Sequence, residues 1–337
     1  MKELNEIYFI RPIIILLLVV YHSFIIYSGG WEMPAGIHDC ASYYWIAKVS
    51  YSFMLEMFTF ISGYLFALSF SKKRMAFKTL FIKKGKRLLV PSVLFSIIYA
   101  FMYSDYEFLS LEYIYRIAEG VGHMWYLPML FWCFVFSYFI IKVRIGDNYK
   151  LFGLLLIVPF SVLPLPFRIA TACYYLFFFY LGYVISMNKE RIKQFINIRN
   201  TIIVSLLFLV AFVVSTMFLE ELHVNRAHTL IEKAFFLLLF KYCKIVYVLL
   251  GMFSLYSVSI IYTSHNRMTD RIKELNKYCF GIYLIQQFVL IYFYRYTDMP
   301  VSLGTYILPW ISCILTLIIS YILSYLIYKT RVGRNLI

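Results

Sequence analysis

No stretch of this sequence is both polar enough and long enough to fold as a soluble domain. Charged residues make up only 15% of the 337 positions, acids number 17, and the longest connections between apolar runs, 71–87, 104–123 and 220–244, have fewer than 30 residues each. Segments of that length cannot bury an independent core. The six cysteines, Cys40, Cys133, Cys173, Cys243, Cys279 and Cys313, are scattered and form no C-x-x-C pair, so neither a disulfide framework nor a thiolate metal site is indicated. Five of them read as small buried hydrophobes, and only Cys40 falls in an expected outer loop. His223 and His228 stand five residues apart with no third ligand in reach, and no metal is expected there. A G-x-S-x-G nucleophile elbow is also missing, which argues against a seryl-ester relay. No small-residue cleavage site follows the first apolar run, whose N-terminal flank is acidic as well as basic, so that run is expected to be a retained span.

What the chain has in abundance is apolar and aromatic surface. Hydrophobic residues are 62% of the sequence and aromatics 21%, far more than one soluble core of this size can hide. The expected class is all-α: a polytopic integral membrane protein with about ten transmembrane helices, forming a single membrane-embedded domain over 1–337. Stretches able to cross about 30 Å of hydrocarbon fall near 9–27, 50–70, 88–103, 124–141, 150–168, 170–187, 201–219, 245–262, 279–296 and 305–328. The fifth and sixth are the weakest, because Pro159, Pro164 and Pro166 interrupt the helical pattern. Alternating the loops from a cytoplasmic N-terminus puts most of the 32 basic residues inside, eight of them in 71–87, and most acids outside. Both termini are then cytoplasmic. The net charge of +15 becomes a topology signal and argues against nucleic-acid binding, which needs a basic soluble face.

Against this apolar background, Arg11 and His22 stand out in the first span. Eleven steps of about 100° and about 1.5 Å bring both to one helix face, about 16 Å apart along the axis. Ionisable groups at membrane depth are costly and by default mark a functional site facing the bundle interior. The plainer alternative is an arginine that snorkels to the interface and a histidine that is merely packed. Glu56, in the second span, is the candidate to orient a His22 imidazolium, in the manner of a triad acid. Its plainer alternative is a protonated carboxyl bonded to a backbone carbonyl. Ser62 and Gly63 read as small residues that let two helices approach closely.

The chemistry available to these groups is acid–base work on a hydroxyl. A neutral imidazole near neutral pH is suited to taking the proton of a hydroxyl, which makes His22 the candidate general base in a direct transfer to such a group. An acyl-histidine intermediate is left open by the sequence. Lys83, Lys84, Lys86 and Arg87, just before the third span, form a positive inner mouth suited to a phosphate-bearing ligand. Topology enforcement accounts for much of that cluster as well. Arg11, nearer the same mouth, would hold a phosphate or another polar end of that ligand. His123 and Trp125, at the outer end of the fourth span, are candidates for an acceptor-binding platform, although an interfacial aromatic belt explains Trp125 and Tyr126 equally well.

Five short stretches occur in a telling order: FIRPIIILLLVVYHS at 9–23, EMFTFISGYL at 56–65, KKGKRLLVP at 83–91, GHMWYL at 122–127 and FGIYLIQ at 280–286. In this order and on this topology the chain resembles the acyltransferase-3 family of integral membrane acyltransferases, over essentially its whole length. The resemblance implies transfer of an acyl group, usually acetyl from acetyl-CoA as co-substrate, to a hydroxyl of a cell-surface or lipid-linked polysaccharide. It maps the family's Arg-x10-His motif onto Arg11 and His22, its acid before Ser-Gly onto Glu56, and its Arg-x-x-Arg pair onto Lys84 and Arg87. The last match is partial, since Lys84 lacks the guanidinium fork. Gln286 departs from the pattern too, standing where the family commonly shows His. The expected partners are an acyl-CoA donor, a carbohydrate acceptor and the bilayer of a cell membrane that the chain crosses several times. A transporter or flippase of lipid-linked glycans is the main alternative, and would call for an internal repeat that the two halves do not show. Succinyl in place of acetyl, or a non-catalytic scaffold subunit, are the others.

Overall fold

A computed structural model describes residues 4–72, 75–103, 110–225, 229–265, 269–331 and 333–336, and among them every regular element is helical. Helices are what a bilayer permits, because hydrocarbon offers no partner for an open backbone group. In chain order they are α1 (Asn5–Phe24), α2 (Ala41–Tyr51), α3 (Met54–Lys72), α4 (Phe77–Lys84), α5 (Val90–Tyr103), α6 (Leu111–Glu119), α7 (Tyr126–Lys142) and α8 (Asp147–Ile157). They continue with α9 (Ile169–Met187), α10 (Lys189–Lys193), α11 (Ile198–Asn225), α12 (Leu230–His265), α13 (Asp270–Arg295), α14 (Met299–Lys329) and α15 (Gly333–Leu336). Eight helical runs among the described residues are long and apolar enough to cross a membrane. The protein is a multi-pass membrane protein. Its exposed apolar residues fit that setting: Ile202, Leu206, Val210, Val214 and Met217 of α11 face outward, as do Val93, Ile97 and Phe101 of α5.

Several expected boundaries move. The expected fifth span is not one helix: α8 ends at Ile157, a 3-10 turn covers Val158–Val162, and Pro159, Pro164 and Pro166 lie in this broken stretch. Its loosened backbone finds partners on α12, where Lys241 Nζ donates to Ser161 O at 3.0 Å and Tyr242 OH donates to Leu155 O at 3.0 Å. The inner connection 71–87 shrinks, because α4, a π turn over Gly85–Leu89 and α5 form one helical run. The outer connection 220–244 shrinks as well, since α11 extends to Asn225 and α12 begins at Leu230. Asp105 and Glu107 of the expected outer loop 104–123, and His228, lie outside the described residues. At 26 residues α13 is long enough to span but is less apolar than the eight, with a charged first half and the Gln286–Gln287 pair.

By backbone contacts the chain forms two compact units, Met1–Met54 with His265–Ile337, and Leu55–Ser264. In the first, α1 packs on α2, α13 and α14, and α13 lies along α14. The backbone of α14 breaks at Gly304, which takes a positive φ of 64°. Beyond the break, Thr305 O accepts from the Tyr27 hydroxyl at 2.6 Å, and Thr305 Oγ1 accepts from the His38 N–H at 3.0 Å. Together they tie the segment after α1 to the start of α14.

In the second unit α3 and α9 touch backbone to backbone. A Cβ placed on Gly63 would lie 1.8 Å from Phe179 O, and one on Gly182 would lie 2.0 Å from Phe60 O. The close approach expected of Ser62-Gly63 is therefore real, with Gly182 as its counterpart. Because the obstacle on each side is a carbonyl and not a movable side chain, Gly182→Ala should cost about 1–3 kcal/mol or more by forcing the helices apart. A drop in thermal midpoint of the detergent-solubilised protein is the expected readout, and an unchanged midpoint would show that the two helices are not pinned here.

Candidate functional site

His22 occupies the last turn of α1, buried at 6% exposure. The chain leaves α1 through a 3-10 turn, Ile25–Ser28, and reverses at Gly29, whose φ of 75° suits a residue without Cβ. That reversal lets Trp31 fold back over the histidine, with ring centroids 6.2 Å apart and planes tilted by only 16°. Tyr21 stands on another side of the imidazole, centroids 5.0 Å apart. Tyr294 of α13 donates its hydroxyl to the neighbouring Ser23 carbonyl and lies 3.2 Å from Ser312 Oγ of α14. The imidazole thus sits in an aromatic cradle where three helices meet. Arg11 is on the same uninterrupted helix, half-buried, within electrostatic reach of Cys279 on α13. Pro12 is tolerated inside α1 without ending it.

Glu56 belongs to the second unit and is completely buried on the first turn of α3. Lys244 Nζ of α12 lies 2.8 Å from its Oε1, with side-chain exposures of 14% and 0%. The Tyr174 hydroxyl of α9 donates to the same oxygen at 3.1 Å. An oxygen that accepts from an ammonium and a phenol has the surroundings of an ionised carboxylate. The alternative of a carboxyl bonded to a backbone carbonyl does not describe this oxygen. Oε2 is buried and has no hydrogen-bond partner among the described residues. One turn along α3, Thr59 Oγ1 lies 3.0 Å from the Tyr126 hydroxyl of α7.

Trp125 joins this cluster. Its half-buried ring lies 6.1 Å from that of Tyr175, which in turn lies 5.1 Å from Tyr174. Two candidates chosen from separate segments, Glu56 and Trp125, are therefore linked through the adjacent Tyr174 and Tyr175 of α9. His123 lies in the 3-10 turn Gly122–Trp125 at 6% exposure, edge-on to Tyr99 at 6.4 Å. Lys84 and Arg87 are corrected in placement: they lie within the helical run 77–103, not in a connection before it, because the basic cluster continues the helix instead of interrupting it. Lys84 stacks its ammonium 3.7 Å over the Phe134 ring, whereas Arg87 is exposed. Phe134 is nine residues beyond Trp125, at the middle of α7, so Lys84 meets that helix about 14 Å along its axis from the aromatic cluster at its start. No group of three or more potential metal ligands occurs among the described residues.

A family model described as an acyltransferase domain, acyltransferase-3, matches residues 4–329. The chain belongs to the acyltransferase-3 family. No curated protein and no solved structure matches it. The match embraces both units of this acyltransferase, and with them Arg11, His22, Glu56, Lys84, Arg87, His123 and Trp125.

Reading the sequence of the acyltransferase missed Lys244 and Tyr174. Lys244 had fallen in an expected outer loop, where a lysine needs no explanation. The signal that places it in a helix is the apolar run before it, AFFLLLF at 234–240, which continues the pattern of the eighth span upstream. A lysine inside such a run calls for a buried acid, and Glu56 answers. Tyr174 is one of many tyrosines, and nothing local distinguishes it. Gln286, recognised only as a departure from the family motif, proves fully buried, and neither of its amide atoms has a hydrogen-bond partner among the described residues. Leaving an amide unsatisfied in an apolar interior costs roughly 2–7 kcal/mol, depending on the reference state.

Proposed function

We propose that this membrane acyltransferase moves an acyl group, acetyl from cytoplasmic acetyl-CoA, to a hydroxyl of a cell-surface or lipid-linked polysaccharide on the outer side of the membrane. The observation that carries the proposal is His22 buried in its aromatic cradle, with Arg11 about three turns away on the same helix. In the proposed step the sugar oxygen attacks the thioester carbonyl while His22 accepts its proton. The C–S bond breaks, an ester C–O bond forms, and the CoA sulfur leaves as a thiolate that takes the proton back from the imidazolium. Arg11, with its permanent charge, holds the donor by a phosphate or by the thioester end. Lys84 and Arg87 attract the donor's phosphates. His123 and Trp125 contact the acceptor: a flat aromatic face stacks on a sugar ring, and an imidazole bonds a hydroxyl.

Glu56 enters this reading as an ionised carboxylate held by Lys244 and Tyr174. Ion-paired carboxylates in an apolar interior are costly and are kept where function requires them. Its second oxygen is the group available to a substrate hydroxyl or to another proton-bearing partner.

Release of free CoA tests the reading. Purified protein in detergent or proteoliposomes, given acetyl-CoA and a surface glycan, should liberate CoA in step with ester formation on the glycan. A glycan transporter would consume no thioester, and absence of CoA release with every glycan supplied would reject the proposal. Comparing surface glycans from cells with and without the gene identifies the acceptor, because each acetyl ester adds a fixed mass.

A further inference from the structure

Gln286 is not alone in lacking partners. On α14, Thr316 and Ser320 are also completely buried, and neither Thr316 Oγ1 nor Ser320 Oγ has a hydrogen-bond partner among the described residues. Contacts between the helices put the three side chains at one level. Asn276 Nδ2 donates to Tyr8 O and Tyr294 OH donates to Ser23 O, so α13 runs parallel to α1 and Gln286 falls at about the level of residues 16 and 17. That is midway between Arg11 and His22. Tyr294 OH meets Ser312 Oγ, while the Tyr278 ring packs against Tyr321, Tyr325 and Tyr328, so α14 runs antiparallel and brings Thr316 and Ser320 alongside Gln286. Around α13, at 100° per residue, Gln286 points between the side that meets α1, marked by Asn276 and Tyr294, and the side that meets α14, marked by Tyr278. It faces the interior of the first unit.

What this shelf can bind follows from its donors and acceptors. Gln286 offers a carbonyl and an amide nitrogen, and the hydroxyls offer both roles. None of the three carries a charge. An ion would find no counter-charge on them and an apolar chain would leave all three unsatisfied, whereas a linear neutral ligand bearing amide groups satisfies them. We propose that Gln286, Thr316 and Ser320 form a recognition site for the amide-bearing pantetheine arm of the thioester donor. The site rests on the function proposed above and refines it. The arm has about twelve chain atoms between phosphate and sulfur, as in four extended residues, and spans about 14 Å. Arg11 and His22 are about 16 Å apart. A donor whose phosphate end is near Arg11 therefore reaches His22 with its thioester, passing its amides along the shelf on the way.

Equilibrium binding to the purified full-length protein tests the site, with two probes: CoA itself, and its phosphoadenosine diphosphate half, which lacks the arm. In Gln286→Leu, CoA affinity should fall about tenfold, the scale of one or two lost buried hydrogen bonds, while the nucleotide half binds as it does to the parent. The same substitution removes an unsatisfied amide, so thermal stability should hold or rise as affinity falls, a combination that simple damage to packing does not produce. A Thr316→Val, Ser320→Ala double variant, nearly unchanged in volume, should behave alike and serves where Gln286→Leu folds poorly. Unchanged CoA affinity in both variants, in a protein that still releases CoA on turnover, would overturn the shelf and leave the acyltransfer reading intact. A parent protein that binds neither probe and turns over no thioester would overturn both.

Discussion

His22→Ala is expected to lower the rate of acyl transfer by about 10²–10⁴-fold, the usual contribution of a positioned general base. The imidazole lies in the aromatic cradle of Tyr21 and Trp31, and in the proposed step it takes the proton of the acceptor hydroxyl and returns it to the leaving sulfur. The loss should fall on kcat, because in the proposed step the ring acts on the proton that moves in the transition state and not on the remote parts of the donor. Affinity for CoA measured without acceptor should stay within a few-fold of the parent, which separates a chemical defect from a collapsed fold. His22→Gln retains a hydrogen-bonding side chain without a titrating ring, and should be equally slow. Normal turnover by either folded variant would remove His22 from the mechanism and, with it, the direct-transfer scheme.

Lys244→Met should be strongly destabilising to the second unit. It leaves the Glu56 carboxylate, fully buried, with Tyr174 as its remaining observed donor. Breaking a buried pair by removing one member typically costs about 3–5 kcal/mol, because the survivor keeps its desolvation penalty and loses its compensation. Adding Glu56→Gln to Lys244→Met should recover most of that stability, since the pair is then replaced by neutral groups. Activity should not return with it, if the ionised carboxylate serves the reaction. Lys244→Arg, which keeps the charge, should retain more of both. A thermal-melting double-mutant cycle checks the coupling: strictly additive effects would mean that the two side chains do not depend on each other.

Much of the architecture was legible in the sequence, and the places where it was not share a cause. Spans such as 124–141 and 170–187 match α7 and α9 to within two residues, because an unbroken apolar run competes only against lipid. Boundaries slipped where charged residues sit inside a helix. The 71–87 basic cluster and the lysines at 241 and 244 look like loop, yet all or part of each stretch is helical, with charges covered by an aromatic ring at Phe134, a carbonyl at Ser161 and a carboxylate at Glu56. The prolines between 159 and 166 were read correctly as disruptive, and the 3-10 turn there is their result.

The candidate site shows the same division. Arg11 and His22 were paired from their spacing, since a shared helix face is a property of one segment, and α1 is continuous across both. Glu56 was singled out because an acid in an apolar run is conspicuous wherever it points. Its partners Lys244 and Tyr174 come from two other helices, and Gln286 gained meaning only through its burial beside Thr316 and Ser320.

By itself, then, the sequence determined that the chain is helical, crosses a membrane repeatedly and carries an Arg-x10-His helix, because hydropathy and helical period are local quantities summed along one strand of backbone. Only the tertiary structure decided which cation compensates Glu56, how closely Gly63 and Gly182 bring α3 to α9, and which buried polar groups lack a hydrogen-bond partner among the described residues. Those are pairwise quantities, set by distances between helices far apart in the chain.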